Sequence, residues 1–202
     1  MDIKEIEEKT HIDRLEAFAK EKGFPYYTNS SVKNHHLIQD ERYTSTKFIV
    51  FDLDQIVENL FLVFYDAYST KAFTQKSYCG LFKSISECDG EIKMIKRDWF
   101  DIFNFKKRLK TGDYYLDKHI SIYSDLLEIN RSVIDPKAIR DFVEINNKIL
   151  ALELSTICES NSIVPELNGK DLVALKTNSW IVDKAELTLF IEKGSKLLKR
   201  IK

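Results

Sequence analysis

Glycine and proline are scarce in this chain, six and three among 202 residues. So few breakers leave little room for a flexible linker. The six glycines are single and scattered, which excludes a glycine-rich phosphate loop. Cysteine is scarce as well. Cys79, Cys88 and Cys158 are odd in number, widely spaced and set among apolar residues. That pattern predicts buried thiols in a reducing compartment and not a disulfide framework. An excess of one charge is also missing: 31 Lys and Arg stand against 32 Asp and Glu, for a net charge of −1. A dedicated nucleic-acid binder normally carries a basic excess, so no nucleic-acid partner is expected. No apolar run approaches ~18 residues, the length a membrane helix needs. The opening MDIKEIEEKTHIDRLEAF is acidic and helical in pattern, without the basic and apolar regions of a secretory signal. These absences predict a soluble, cytoplasmic protein.

Aromatic residues, in contrast, are abundant. Thirteen Phe and nine Tyr suit a sheet-rich core, and 202 residues can bury a substantial one. They concentrate in residues 46–88, around which the chain is organised. Phe48, Ile49, Val50, Phe51 and Leu53 form one extended run, and Leu60 to Tyr65 a second. Both are β-branched or aromatic on both pleat faces, the pattern of a strand that meets water on neither side. The connector Asp54–Asn59 is too short for a helical crossover, so the runs should pair antiparallel. A third run, Tyr78 to Cys88, follows a polar tip at Ser69–Lys76 and completes a meander.

Around this centre the spacing predicts one helix over about residues 2–22, or two broken near Thr10. Ile12, Leu15, Phe18 and Ala19 lie on one stripe, and Gly23 sits at the C-terminal cap. Phe24 to Thr28 begins a strand, Asn29–His36 is a polar loop, and Leu37 to Tyr43 is a weaker strand. Asp89-Gly90 signals a hairpin joining the Tyr78–Cys88 strand to Glu91–Lys96. His119 to Tyr123 alternates as a short strand, and Asp125–Arg131 starts a turn or short helix. Asp135-Pro136 opens a helix with Ile139, Phe142, Val143 and Ile149 on its buried face. Ala151 to Cys158 is a strand, and Asn168-Gly169 should turn a hairpin pairing Ser162–Leu167 with Leu172–Thr177. Asp183-Lys-Ala-Glu186 caps a last helix whose Leu187, Phe190, Ile191, Leu198 and Ile201 share one side. The expected fold is a single α+β domain over residues 1–202. A mainly antiparallel sheet of six to nine strands carries N-terminal, middle and C-terminal helices.

Three patterns bear on chemistry. The run FIVFDLDQI (48–56) resembles the first motif of the haloacid-dehalogenase-like phosphatases. That resemblance implies a phosphoryl-accepting nucleophile at Asp52, a general acid/base at Asp54 and Mg²⁺ between them. Gly112-Asp113-Tyr-Tyr-Leu-Asp117 imitates the family's late Gly-Asp-x-x-x-Asp element. The family's small residues after the motif are replaced by Gln55-Ile56, and its parallel sheet conflicts with a strand that returns within about six residues. Outward-facing acids at a strand end are therefore expected instead, with no catalytic residues. His11, His35, His36 and His119 lack ligand spacing with one another or with the cysteines, so no metal and no cofactor is expected. Residues 97–110 set Trp99, Ile102, Phe103, Phe105 and Leu109 beside Lys106, Lys107, Arg108 and Lys110. Trp99, Phe103 and these four cations are the candidate binding surface, for a partner or for anionic lipid. The competing expectation is that the rings close one end of the core while the cations stay solvated.

The succession of elements in the second half is similar to that of a group of uncharacterised bacterial domains, some carried behind membrane helices. It runs from the aromatic meander through His119-Ile-Ser-Ile-Tyr123-Ser-Asp125 and the Asp135-Pro136 helix to Trp180-Ile-Val-Asp183-Lys-Ala-Glu186-Leu. The resemblance spans roughly residues 12–200; it implies an α+β fold and assigns no site residue. The resulting expectation is a non-enzymatic binding or interaction protein of a bacterial cytoplasm, acting through a protein partner or self-association. A Mg²⁺-dependent phosphohydrolase using Asp52 and Asp54 and a peripheral membrane-surface module using residues 97–110 are the alternatives.

Overall fold

The structure, a computed structural model, describes residues 3–33, 44–69, 74–88, 90–97, 108–124, 136–149, 151–162 and 164–201. Helix α1 (Ile3–Lys22) leads into β1 (Tyr26–Lys33), β2 (Thr44–Asp52), β3 (Leu60–Ser69), β4 (Thr74–Ser84) and β5 (Ile92–Lys96). Then come β6 (Arg108–Leu109), α2 (Tyr114–His119), β7 (Ile120–Ser124), α3 (Pro136–Asn146), β8 (Glu153–Ile157), β9 (Leu172–Thr177) and α4 (Lys184–Arg200). The nine strands form one sheet in the order β1-β2-β3-β4-β9-β8-β5-β7-β6, and every pair is antiparallel. This is the α+β class the patterning predicts.

The central meander forms as expected, with Phe51 opposite Leu62 and Leu62 opposite Leu81. Both faces of its middle are buried. Ile49, Phe51, Leu62, Phe64 and Leu81 belong to the large core under the helices, whereas Val50, Phe61, Val63 and Phe82 join a smaller cluster on the opposite face. Val164 and Leu167 cover that second cluster from the loop between β8 and β9. On the helix side Phe18, Phe51, Phe64 and Trp180 follow one another at ring-centroid distances of 6.3, 5.5 and 5.7 Å. The Trp180 indole N–H donates to the Tyr65 carbonyl at 3.1 Å, so this large, partly buried ring has its polar atom satisfied.

Helix ends are set by local chemistry. At the end of α1, Gly23 takes φ +69°, Phe24 N–H donates to Ala19 and Gly23 N–H to Lys20. The Phe24 ring stands 6.4 Å from Phe18, the apolar contact that accompanies such a cap. Asp183 opens α4 by accepting from Ala185 and Glu186 N–H, each at 2.9 Å, in the predicted position. At the other end of α4, Lys83 donates to the carbonyls of Leu198 (3.2 Å) and Ile201 (2.6 Å). A cation there meets the last carbonyls of the helix and the negative end of its dipole. Gly194 lets α4 lie close on the sheet, since a Cβ would stand 2.4 Å from a Leu81 methyl. In α3, Ala138, Ile139, Phe142, Val143, Ile145 and Asn146 are buried. The Asn146 amide exchanges two hydrogen bonds with the Leu152 backbone, fastening the helix to the start of β8.

Three expectations are corrected. β4 ends at Ser84 and does not pair with β5: its free edge is taken by β9, with Leu81 opposite Leu175, while β5 lies between β8 and β7. β4 and β5 therefore do not pair in the expected hairpin, and Asp89 itself lies outside the described residues. Second, Ser162–Leu167 is not a strand. Pro165, which lacks an N–H for a ladder, starts a 3₁₀ turn over Pro165–Leu167, and β9 pairs with β8 instead. Asn168-Gly169 closes that loop upon itself, Gly169 N–H donating to Ser160 O at 2.7 Å with φ +71°. Third, Cys88 and Cys158 are joined in a disulfide with Cα atoms 5.5 Å apart. Spacing along the chain hid this pair because 70 residues separate the two cysteines, which the fold brings to adjacent loops. Cys79 alone is a buried thiol, and burial pushes it up to about 12, against a weaker pull from a backbone hydrogen bond at Ile181.

Residues 29–33, expected as part of a loop, belong to β1, and residues 34–36 lie outside the described residues. Leu37–Tyr43, Asp125–Arg131 and Asp135 lie outside the described residues. No helix among the described residues is long and apolar enough to cross a membrane.

Candidate functional site

The face of the sheet that carries no α-helix among the described residues changes character across its width. Over β2–β4 it is apolar, and Leu172 and Ala174 of β9 extend that patch, whereas over β7, β5 and β8 and at Lys176 of β9 it is largely polar. Strand geometry sends every second side chain to this face. The pairing then sets Tyr123, Lys93, Ser155 and Ala174 in one row across four strands. The next row holds Ser121, Ile95, Glu153, Lys176 and Gly80. The alternate residues Ile92, Met94, Ile122, Leu154 and Leu175 point into the main core. Each short strand is thus anchored by its apolar side and presents the other to a cavity of about 500 Å³. Small-molecule sites commonly span about 300–1,000 Å³.

Glu153 sits at the middle of that surface. Lys93 Nζ approaches it at 2.5 Å and Lys176 Nζ at 3.0 Å, one from each neighbouring strand. Burial pushes the Glu153 carboxyl up, but the hydrogen bonds and charges of the two lysines outweigh it and hold it below its ordinary value. Glu153 is therefore ionised at neutral pH. Gly80 matters to this arrangement, because a Cβ there would stand 2.8 Å from Lys176 Cβ and 3.2 Å from the Leu175 carbonyl oxygen.

Beside the ion-paired cluster stand two hydroxyls of a different kind. Tyr123 is 5% exposed and Ser155 8%, both line the cavity, and the buried Tyr123 Oη and Ser155 Oγ have no hydrogen-bond partner among the described residues. They flank Lys93 from either side in the same row. With strands about 4.8 Å apart, their Cα atoms lie roughly 10 Å from each other. Thr156, by comparison, is spent on structure: its hydroxyl donates to Gly90 O (2.9 Å) and accepts from Ile92 N–H (2.8 Å). That clasp and the Cys88–Cys158 disulfide tie Cys88, Gly90 and Ile92 to the end of β8.

The residues singled out by sequence lie elsewhere. Asp52 and Asp54 are at the β2–β3 connection, where β3 returns antiparallel. Asp52 Oδ1 accepts from Asp54 N–H at 2.9 Å, and Asp54 Oδ1 accepts from Asn59 N–H at 2.7 Å. Asn59, at φ 56°, takes the left-handed turn that asparagine tolerates. The two acids organise a turn. Asp113 caps α2 by accepting from Tyr115 and Leu116 N–H and pairs with Arg140 at 3.3 Å. Asp117 accepts from the backbone and hydroxyl of Thr111.

Trp99, Phe103, Lys106 and Lys107 lie outside the described residues. Arg108, in β6, donates to the Asp117 and Ile120 carbonyls and is partly buried, while Lys110 is exposed. Arg108 is thus tied into the β6–β7 edge and does not extend into solvent. His119 Nδ1 is 2.7 Å from the Tyr115 carbonyl. Among the described residues no three His, Cys, Asp or Glu side chains are grouped to hold a metal ion.

Sequence reasoning missed Lys93, Tyr123, Glu153, Ser155 and Lys176. Only part of this was legible strand by strand: Glu91-Ile-Lys-Met94 and Ile120-Ser-Ile122 alternate, whereas Leu172-Val-Ala-Leu175 of β9 is apolar on both faces. The convergence of the five residues was not legible, because it depends on β5 entering between β7 and β8. Searches of protein-family models, curated proteins and solved structures returned no match to this chain, so the site stands on its own geometry.

Proposed function

We propose that this chain is a non-enzymatic binding protein whose ligand seats on the open sheet face over β7, β5, β8 and β9. The observation that carries this reading is the pair of buried hydroxyls, Tyr123 Oη and Ser155 Oγ, that have no partner among the described residues and belong to the wall of one cavity. A buried hydroxyl left without a partner costs about 1–3 kcal/mol. Such a cost is tolerated at a site that gains its partner from outside, because functional sites are where folds depart from full internal satisfaction. A binding role, not a hydrolytic one, is favoured by what Asp52 and Asp54 do: both carboxylates accept from the backbone of their own turn. A cystine persists in an oxidising setting, so the cytoplasmic compartment expected from three thiols is not carried forward.

The test is to remove the hydroxyls while keeping the shape, as Tyr123→Phe and Ser155→Ala. Each substitution should hold or raise stability in chemical denaturation, by up to about 1–3 kcal/mol, since it deletes an unsatisfied group. A clear loss in both would assign the hydroxyls to the fold and remove this surface as the binding site.

A further inference from the structure

The chemistry of this surface narrows what it takes, given the binding reading above. Its charges balance: Glu91 and Glu153 face Lys93 and Lys176 around the same cavity. A strongly anionic ligand would meet the Glu153 carboxylate at the centre of the floor, and a cation would meet the two ammonium groups paired with it. Hydrogen-bonding capacity, however, is plentiful and of both senses. Lys93 and Lys176 have further N–H donors, Glu153 has further lone pairs, and the two orphan hydroxyls can each donate and accept. Between these groups lie the aliphatic faces of Ile95 and Ile157.

From this juxtaposition we infer that the ligand is an uncharged, hydroxyl-rich ring, a sugar or cyclic polyol. Each ligand hydroxyl donates to one wall and accepts from another, as Tyr123, Ser155, Lys93 and Glu153 require, while ring C–H groups cover the isoleucines. Neighbouring hydroxyls on one ring match a carboxylate and an ammonium held side by side, because one accepts and the other donates. The source is a free sugar or the end residue of a longer glycan; both present the same ring chemistry.

The experiment is an amide-resolved NMR titration of the whole chain with D-glucose, D-galactose, myo-inositol and their methyl glycosides where these exist. Inorganic phosphate and acetate form the anionic arm. The expected result is saturable shifts confined to β5, β7, β8 and β9 with at least one polyol. Affinity should fall roughly tenfold or more in Tyr123→Phe/Ser155→Ala, the loss of two hydrogen bonds of about 1 kcal/mol each. A response to the glycoside equal to that of the free sugar assigns the site to glycan ends, and loss of response on methylation assigns it to free sugar. Absence of saturation by every polyol overturns the inference. If phosphate or acetate then saturates the same amides, the ligand class falls and the binding surface stands. If no probe saturates and the hydroxyl variants also lose stability, the binding reading falls with it.

Discussion

The two halves of the sheet are built on opposite plans. Strands β2, β3 and β4 have nine, ten and eleven residues and are buried on both faces along their middle. Strands β5, β7 and β8 have five residues each and bury one face in the main core. The long strands are held, beyond their ladders, mainly by apolar area. The short ones add specific links: the Cys88–Cys158 disulfide, the Thr156 clasp to Gly90 and Ile92, and the Lys93–Glu153–Lys176 bridge across three strands. A functional surface needs polar groups that the core cannot use. The half with less apolar burial is the half that can display them, and its cross-links compensate for the burial it lacks.

That contrast can be broken from the strong side. Phe64 is fully buried between Phe51 and Trp180, so Phe64→Ala should cost about 3–5 kcal/mol in denaturant unfolding. A near-unchanged midpoint would mean that the long-strand half does not dominate stability. On the other side, Cys158→Ser or full reduction should cost about 2–4 kcal/mol, because the disulfide spans a long segment of unfolded chain. The comparison sharpens if proteolysis after reduction begins in the short-strand half while the meander stays protected. Equal stability with and without reductant would show that the short strands need no covalent link.

The same division explains which parts were legible from sequence. The meander announces itself because Phe48–Leu53 and Leu60–Tyr65 are continuous apolar runs joined by a short connector; pairing between neighbours in sequence needs no further information. Helix caps at Gly23 and Asp183 are equally local. The order β4-β9-β8-β5-β7 is not local at all. β9 displaces β5 from the edge of β4, and no dipeptide signal such as Asp89-Gly90 encodes that competition. Cys88 and Cys158 meet, and Lys93 meets Glu153, only through the same long-range pairing. The acids that looked chemical, Asp52 and Asp54, drew notice because they are adjacent in sequence, and adjacency is what a turn uses.

The smallest expected effect probes the bridge itself. Glu153 is only partly screened from solvent, its side chain 22% exposed, so the bridge should contribute about 1 kcal/mol or less. Its folded carboxyl lies below the ordinary 4.5, so the folded state binds this proton less readily than the unfolded chain does. The stabilisation is therefore complete above pH 4.5 and is lost as pH falls through the lower folded value. Glu153→Gln should lower stability slightly at neutral pH and flatten the acid limb of the stability curve, so that variant and wild type converge as pH falls. Addition of salt at neutral pH should narrow the gap between them only modestly, because partly buried pairs are less screened than exposed ones. A constant gap from neutral to acid would mean that the carboxylate charge contributes nothing and that Glu153 acts through its shape. Lys93 and Lys176 would then be left as independent surface cations, and the open face would lose the fixed donor–acceptor pair on which recognition of a hydroxylated ring depends.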